Sequence, residues 1–258
     1  MAQIHPFRAP AAQGELNESE TRVHLAACYR LIAHFGMDDL VFTHISARVP
    51  GSPDHFLINP YGLRFDEITA SSLVKIDHEG HLVEDSPHPV NEAGFVIHSA
   101  IHMARREVAC VLHTHTQAGV AVSCLDEGLR PMNQHSFLFL DRLAYHDYEG
   151  IATDLDERER LVKDLGGKHA MILRNHGTLT VGTSVADAFL RMYFLERACE
   201  VQVHMLAAGR NGLNDPAPGT SEKVREQAQA VGMSKLAEAL AWPALLRKLD
   251  RIDPSFRQ

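Results

Sequence analysis

The chain has 258 residues, a formal net charge of −8 and 45% hydrophobic residues, which is enough apolar material for one substantial core. Its basic residues are scattered rather than gathered on one stretch, so the composition argues against nucleic acid as a partner. Because no run approaches the roughly 18–20 apolar residues of a membrane span and the N-terminal stretch lacks the apolar centre of a secretory signal, we expect a cytoplasmic protein with no membrane contact.

The N-terminal part of the sequence predicts an arm and then a helix. Residues 1–14 are rich in Ala, Pro and Gln and are expected to form a loose arm. The segment 17–36 has helical periodicity. Asn17 followed by Glu20 fits a capping box, and Gly36 supplies a C-terminal stop.

Extended patterns follow this helix. Segments 38–50 and 54–62 predict two strands joined by a turn of Gly, Ser, Pro and Asp, which is typical of a hairpin. Residues 67–84 predict a short helical turn and then a second hairpin around His78–Gly80.

The rest of the chain alternates between helical and extended patterns without a linker, which predicts one domain over residues 1–258. The predicted elements are a helix in 89–107, a strand and helix in 108–125, a strand and turn in 144–152, a helix in 157–167, two strands in 169–182, a long helix in 184–209 and a helical extension over 211–258. This extension is expected to pack across the domain or on a neighbouring subunit. Hairpin strands flanked by long helices predict an α/β layered fold with a mainly antiparallel sheet.

The four cysteines are single and widely spaced, without a CxxC pair. We interpret them as reduced core residues of a cytoplasmic protein. They are Cys28, Cys110, Cys124 and Cys199.

Three histidines that lie in or beside apolar runs predict a metal site. In a strand, His113 and His115 of "VLHTHT" project from the same face and can share one metal ion at about 2.0–2.1 Å. An isolated pair of this kind is also compatible with two partly buried histidines bonded to the backbone. His176 lies between Asn175 and Gly177, where a tight turn can aim its side chain at a neighbouring strand. Three neutral imidazoles with an open position are typical of a catalytic zinc site.

A second histidine pair lies on the helix predicted in 89–107. His98 and His102 are four residues apart on one face, but no HExxH acid lies between them. Packing and hydrogen bonding behind the metal site are therefore favoured over metal binding.

The order of "FTHISAR", "INPYG", a helix, "HTH", "DYEG" and "RNHG" resembles the class II aldolase/adducin family over about residues 20 to 210. The resemblance implies a three-layer α/β/α sandwich with a central, mainly antiparallel sheet, and a homotetramer. It also implies that His113, His115 and His176 bind Zn²⁺, or another divalent metal such as Mn²⁺, Co²⁺ or Fe²⁺. Tyr148 would be a proton donor to the adjoining subunit's site.

The sequence departs from the phosphate-using members of that family and is closer to the adducin-like branch. Where those members carry Gly-Asn in the first loop, this chain has Thr43 and His44, and a Cβ at position 43 obstructs close approach of a phosphate. The serines that precede the catalytic acid are replaced by "PVNEAG". A small unphosphorylated hydroxy-carbonyl or hydroxy-acid substrate is therefore expected, met by His44, Asn59 or Arg64, each of which also fits a turn or surface position.

The family's catalytic acid is missing from its usual place. Four residues before His98 the chain has Gly94, and the nearest carboxylate is that of Glu92. Glu92 is our candidate catalytic residue beside Tyr148, although an acid in a first helical turn is also favoured by the helix dipole alone.

These features together predict a metal-dependent carbon–carbon lyase of the class II aldolase type, in which the metal stabilises an enediolate. Decarboxylation or dehydration on the same scaffold would use similar chemistry and remains an alternative. A non-catalytic, adducin-like interaction domain is the alternative from another functional class, and we expect it less because the metal motif is complete and no counterpart of the adducin tail follows.

Overall fold

The computed structural model describes residues 16–150, 156–209, 212–230 and 232–258, without the side chains of 92–96, 233–234 and 236–237. Seven strands form the sheet: β1 (His44–Val49), β2 (Ser52–Ile58), β3 (Val74–Asp77), β4 (Cys110–Thr114), β5 (Leu143–His146), β6 (Ala170–Leu173) and β7 (Gly177–Gly182). The helices are α1 (Glu18–His34), α2 (Glu92–Ala104), α3 (Gln117–Ser123), α4 (Gln134–Phe137), α5 (Glu157–Leu165), α6 (Val185–Ala207), α7 (Thr220–Ala230) and α8 (Met233–Ile252), with 3-10 turns at Phe65–Glu67 and Pro254–Arg257.

Helix α1 begins and ends as its sequence predicts. The Asn17 side chain accepts a hydrogen bond from the Glu20 amide, and the Glu20 carboxylate accepts one from the Asn17 amide, both at 2.9 Å. This reciprocal pair satisfies two amides that the first helical turn leaves without partners. After the helix, Gly36 adopts a φ of 67°, a left-handed conformation that glycine reaches at little cost.

The sheet has the order β3-β2-β1-β4-β7-β6-β5. Every neighbouring pair is antiparallel except β5 and β6, which are parallel. Strands β1 and β2 form the first predicted hairpin. The second, around His78–Gly80, forms only in part, because its return chain pairs through the isolated bridge between Ile76 and Leu82.

Helices cover both faces of the sheet. On one face, α1, α6 and α8 bury an apolar cluster against β1, β2 and β4, and α3 with α6 buries another against β6. On the other face, α2 and α5 pack against inward residues of β4, β6 and β7. The predicted three-layer α/β/α sandwich with a mainly antiparallel sheet is confirmed. Because strand side chains alternate between faces, Leu112 points to the α6 layer and His113 to the α2 layer.

The first strand starts later than its apolar pattern predicts. A strand was expected over 38–50, whereas β1 begins at His44. Leu40 and Thr43 have φ values of 54° and 66°, which are incompatible with an extended strand. The residues before β1 therefore form an irregular loop at the edge of the site described below.

The C-terminal helices pack on the same chain. Trp242 of α8 is buried against Phe189 of α6, and its indole Nε1 donates to His24 of α1 at 3.3 Å. The N-terminal arm predicted over 1–14 lies outside the described residues, and the division of the chain into one domain with this arm and a C-terminal extension stays a prediction. Among the helices of the described ranges, none combines the length and apolarity that a membrane crossing requires.

The cysteine prediction is correct for three of the four residues. Cys28, Cys110 and Cys199 are buried, but Cys124 is exposed. Cys124 caps the C-terminus of α3, where the chain turns away from the core, so its apolar sequence neighbours do not bring it inside. All four thiols are free.

Candidate metal centre

Three imidazole rings meet where β4 ends and β7 begins. His113 Nε2 lies 2.8 Å from His115 Nε2, which lies 2.9 Å from His176 Nε2. The ring centroids are 4.6–4.8 Å apart in all three pairs. His113 is buried, and the other two are partly exposed, so the cluster reaches solvent on one side.

The turn before β7 explains the sequence Asn-His-Gly. Asn175 adopts a φ of 55°, which turns the chain sharply between β6 and β7 and leaves His176 facing β4. Gly177 lies so close to β4 that an added Cβ would collide with the Thr114 carbonyl oxygen and press on the His115 ring. Glycine is therefore required at position 177 for the two strand ends to approach each other.

Hydrogen bonds at the far side of two rings fix their tautomers. His113 Nδ1 lies 2.9 Å from the Thr178 carbonyl oxygen, and His115 Nδ1 lies 3.1 Å from a carboxylate oxygen of Asp39. Since both partners are acceptors, each Nδ1 carries the proton and each Nε2 keeps a lone pair. Such outer partners orient metal-binding histidines and raise their basicity.

The resulting donor set suits a divalent cation. Two Nε2 lone pairs face each other at 2.8 Å, an arrangement that is repulsive unless a positive charge lies between them. Nitrogens bound tetrahedrally to one zinc at about 2.0–2.1 Å are roughly 3.3 Å apart, so the rings need to separate by only about 0.5 Å. The residues present therefore fit a zinc-like ion.

The electrostatics keep two rings of the cluster, those of His113 and His176, neutral. Burial, and next the neighbouring His176, hold the pKa of His113 well below its ordinary value. Burial and the neighbouring His115 lower the pKa of His176 to about 4. Neutral imidazole is the form that binds metal, so both rings are ready to bind at neutral pH.

A chain of buried polar groups runs from the three-histidine cluster towards the far end of β1. His44 Nδ1 lies 2.7 Å from His98 Nε2, and Ser46 Oγ lies 2.6 Å from His98 Nδ1 and 2.8 Å from His102 Nε2. Arg48 Nη2 donates to the His102 carbonyl at 2.6 Å and lies 3.4 Å from His102 Nδ1. The expected packing and hydrogen-bonding role of His98 and His102 matches this arrangement.

Arg48, at the far end of this polar chain, determines which groups donate and which accept. Arg48 has only donors, so in the arrangement in which it donates to His102 Nδ1 across 3.4 Å, His102 Nε2 carries the proton. The Val108 carbonyl is a competing acceptor at this histidine, and its hydrogen bond raises the pKa of His102. Ser46 then accepts from His102 and donates to His98 Nδ1. His98 in turn donates through Nε2 to His44 Nδ1, which leaves the proton of His44 on Nε2. His44, whose ring centroid is 5.3 Å from that of His113, thus presents a donor beside the candidate metal centre.

Burial keeps the histidines of this chain neutral. It is the main cause that lowers the pKa of both His44 and His102 to about 3 and that of His98 well below its ordinary value. Nearby histidines add to the effect at His44 and His98, and Arg48 adds to it at His102.

Of the two predicted catalytic residues, the structure describes the side chain of Tyr148 but not that of Glu92. Tyr148 is 52% exposed, and its ring centroid lies 5.8 Å from that of His176 in the same chain. Its expected role as a proton donor to the adjoining subunit's site stays a prediction. Glu92 is the first residue of α2, and its side chain lies outside the described residues.

Two of the three proposed substrate contacts have local roles. Arg64 is exposed and pairs with Asp66 through two hydrogen bonds of 3.0 Å. Asn59 is fully buried, and its Oδ1 accepts from Tyr29 at 2.8 Å. Among the described residues, however, Asn59 Nδ2 and the buried Thr43 Oγ1 have no hydrogen-bond partner.

Asp39, Ser46 and Thr178 contact the histidines but were not among the predicted site residues. Ser46 could have been found, because it shares a strand face with His44 at a spacing of two residues. Asp39 reaches His115 only through the irregular loop before β1, and Thr178 contributes a main-chain carbonyl. Neither leaves a signal in a single sequence.

The chain matches known proteins along most of its length. Residues 23–203 match the family described as Class II Aldolase and Adducin N-terminal domain. A putative aldolase class 2 protein of Caulobacter vibrioides is 54% identical over 246 residues, covering 95% of both chains. Alpha-adducin of Rattus norvegicus is 46% identical over 194 residues, which are 74% of this chain and 26% of that protein.

Solved structures show the same similarity. The crystal structure of an aldolase II superfamily protein from Pseudomonas syringae superposes with a TM-score of 0.87 at 51% identity, covering 95% of this chain and 97% of that one. An L-fuculose 1-phosphate aldolase from Glaciozyma antarctica PI12 superposes with a TM-score of 0.82 at 29% identity, covering 96% and 97%. The predicted family resemblance is confirmed: the chain belongs to the class II aldolase and adducin family.

Proposed function

We propose that this protein is a metal-dependent carbon–carbon lyase acting on a small unphosphorylated hydroxy-carbonyl or hydroxy-acid compound. The observation that carries the proposal is the pair of Nε2 lone pairs of His113 and His115, 2.8 Å apart and joined by His176 Nε2 at 2.9 Å. Zn²⁺ is the proposed ion, with another divalent metal as the alternative. Such an ion, when bound, attracts electrons from substrate oxygens and stabilises the negative charge that develops as the bond breaks.

The residues around the centre can position a substrate and move a proton. The exposed Tyr148 hydroxyl is carried by a ring beside His176, and a phenolic O–H can donate a proton to a carbanion. His44 offers an Nε2–H donor to a substrate oxygen. Glu92 remains our candidate catalytic residue beside Tyr148, because it is the carboxylate nearest to His98 in the sequence of α2.

The loop before β1 supports an unphosphorylated substrate. Thr43 holds a φ of 66° and is buried, so its Cβ occupies space close to the backbone that a phosphate would need. Asn59 Nδ2 has no partner among the described residues but is fully buried, so Asn59 stays a predicted contact for a smaller oxygen group such as a carboxylate. Since the relative from Glaciozyma antarctica is named for a sugar phosphate, a phosphorylated sugar is the necessary comparison in any assay.

Decarboxylase and dehydratase activities are variants of this proposal, because the same centre would stabilise the anion that each produces. An interaction domain without catalysis is the second candidate, supported by the 46% identity to alpha-adducin. We also propose a homotetramer, supported by family membership, and a cytoplasmic location, supported by the four free thiols.

A substrate screen on metal-replete protein tests the activity. Hydroxy-keto acids, hydroxylated aromatic acids and L-fuculose 1-phosphate are incubated separately, and aldehyde and CO₂ release are measured independently. We expect aldehyde from an unphosphorylated compound, with a loss of about 10²-fold or more in Tyr148→Phe. CO₂ alone would identify the decarboxylase, turnover of the sugar phosphate alone would contradict the substrate class, and a metal-free protein inert to all compounds would support the interaction domain.

A further inference from the structure

A cleft lies beneath α7, at the end of β6 opposite to the three-histidine centre. Its volume is about 320 Å³, and it is bounded by α4, α6, α7 and the start of α8. Helix α7 buries none of its described residues, so it spans this space without filling it. The cleft is large enough for a small organic ligand.

Positive charge around the cleft exceeds the acids that could neutralise it. Arg191 pairs with Asp187 at 2.7 Å, and Arg225 pairs with Asp141 at 2.5 Å. Arg142 and Lys235 also line the cleft, yet neither forms an ion pair with any residue that the structure describes. Glu238 is hydrogen-bonded to Ser184 and lies within electrostatic reach of Arg191 and Lys235, so it offsets part of this charge without forming an ion pair with Lys235.

The pKa of His169, which also lines the cleft, is affected by the same positive charges. Its Nδ1 is buried and has no hydrogen-bond partner within the described ranges. Burial, followed by the nearby guanidinium groups of Arg191, Arg142 and Arg105, lowers the pKa of His169 to about 4. Glu107, which pairs with Arg105, opposes this effect only in part, so the environment of His169 has a net positive potential that an anion would relieve.

The remaining walls are apolar. Leu138, Phe139, Leu190 and Phe194 line the cleft beside the cations. Two aromatic rings and two leucines favour a ligand with a large apolar group. The cations without ion pairs in the described part of the chain, Arg142 and Lys235, favour a ligand that also carries a negative charge.

This cleft is separate from the three-histidine centre. His169 precedes β6 at the cleft, while Leu173 ends β6 beside Gly177, next to the centre. Four residues of extended strand span roughly 13 Å. A ligand in the cleft therefore does not contact His113, His115 or His176.

We propose that the cleft beneath α7 binds a small organic acid with an apolar body, held by Arg142 and Lys235 and enclosed by Phe139 and Phe194. The ligand class is an aryl or medium-chain acyl carboxylate or its phosphate analogue. Its binding does not depend on a metal at the three-histidine centre.

Calorimetric titration of the full chain with phenylacetate, hexanoate and phenyl phosphate tests the proposal. Two compounds serve as controls. Acetate has the carboxylate but no large apolar group, and phenylacetamide has the apolar phenyl group but no negative charge. We expect at least one of the three probes to bind with an affinity about tenfold or more above both controls, and Arg142→Gln and Lys235→Gln each to weaken it about tenfold. Arg247→Gln, an exposed substitution on the same helix as Lys235, should leave binding unchanged.

The His113→Ala variant separates this site from the metal centre. Retained probe binding in that variant supports the cleft, whereas binding lost there would place the probe at the histidines and overturn the proposal. Failure of all three probes to bind, or equal affinity in the Arg142 and Lys235 variants, would also overturn it. So would light scattering showing that these substitutions dissociate an oligomer, because the cleft would then be a subunit contact.

Discussion

His44 Nδ1 lies 2.7 Å from His98 Nε2, and both rings are buried between β1 and α2. This contact connects the candidate metal centre to a polar chain that ends at Arg48. Because Arg48 can only donate, its contact with His102 Nδ1 favours one tautomer for every ring, with the proton of His44 on Nε2. A group of neutral buried histidines thereby acquires a defined orientation.

Ser46 is the link on which this orientation depends. Ser46→Ala would leave His98 Nδ1 and His102 Nε2 without their shared partner in a buried site, at a cost of about 1–3 kcal/mol. We expect a fall in Tm of roughly 2–12 °C for a chain of this size. The exposed Ser71→Ala should change stability by no more than about 0.5 kcal/mol. Wild-type stability in Ser46→Ala would contradict the hydrogen-bonded chain.

The same histidines predict acid sensitivity. The folded-state pKa of His44 and of His102 is about 3, against an ordinary value of 6.5. The unfolded chain therefore binds more protons between these values, so the free energy of unfolding is greatest above pH 6.5 and falls as the pH drops towards 3, by up to about 1.4 kcal/mol per pH unit for each group.

Urea unfolding of metal-free protein at pH 7.5, 6 and 5 measures this loss. His102→Gln, which removes one of the titrating groups, should be less stable at pH 7.5 but should lose less stability on acidification. A pH dependence as steep as that of the wild type would show that His102 is not held neutral.

Asp39 is expected to act on the metal through His115. Its carboxylate accepts from His115 Nδ1 at 3.1 Å, so Asp39→Asn should weaken zinc binding about 10- to 100-fold by releasing the ring. Competition with a chromophoric chelator gives the affinity. Asp38→Asn is the matched control one residue away, and equal affinities in the two variants would remove Asp39 from the site.

Gly177 should tolerate no side chain. Gly177→Ala would force a Cβ onto the Thr114 carbonyl oxygen, which we expect to cost about 1–3 kcal/mol and to reduce zinc binding by separating β4 from His176. Gly167→Ala is the comparison, since nothing lies within 4 Å of its added Cβ. Thermal unfolding and zinc titration measure both effects. If the two variants behave alike, the close approach of β4 and β7 is not required.

The sequence predicted the parts of the site that depend on local rules. Strand alternation placed His113 and His115 on one side, and the Asn-His-Gly turn placed His176 opposite them. The later start of β1 could not be predicted, because positive φ values at Leu40 and Thr43 depend on packing rather than on residue type. The same loop positions Asp39 beside His115, and Cys124 is exposed because α3 ends there. These features depend on the three-dimensional structure and could not be predicted from the sequence.

The most direct measurement is a crystal structure of the protein grown with zinc, with anomalous diffraction data collected at the zinc absorption edge. We predict one strong anomalous peak about 2.0–2.1 Å from Nε2 of His113, His115 and His176. No peak there, or a peak bound by other residues while these rings stay bonded to one another, would contradict the assignment of this metal centre.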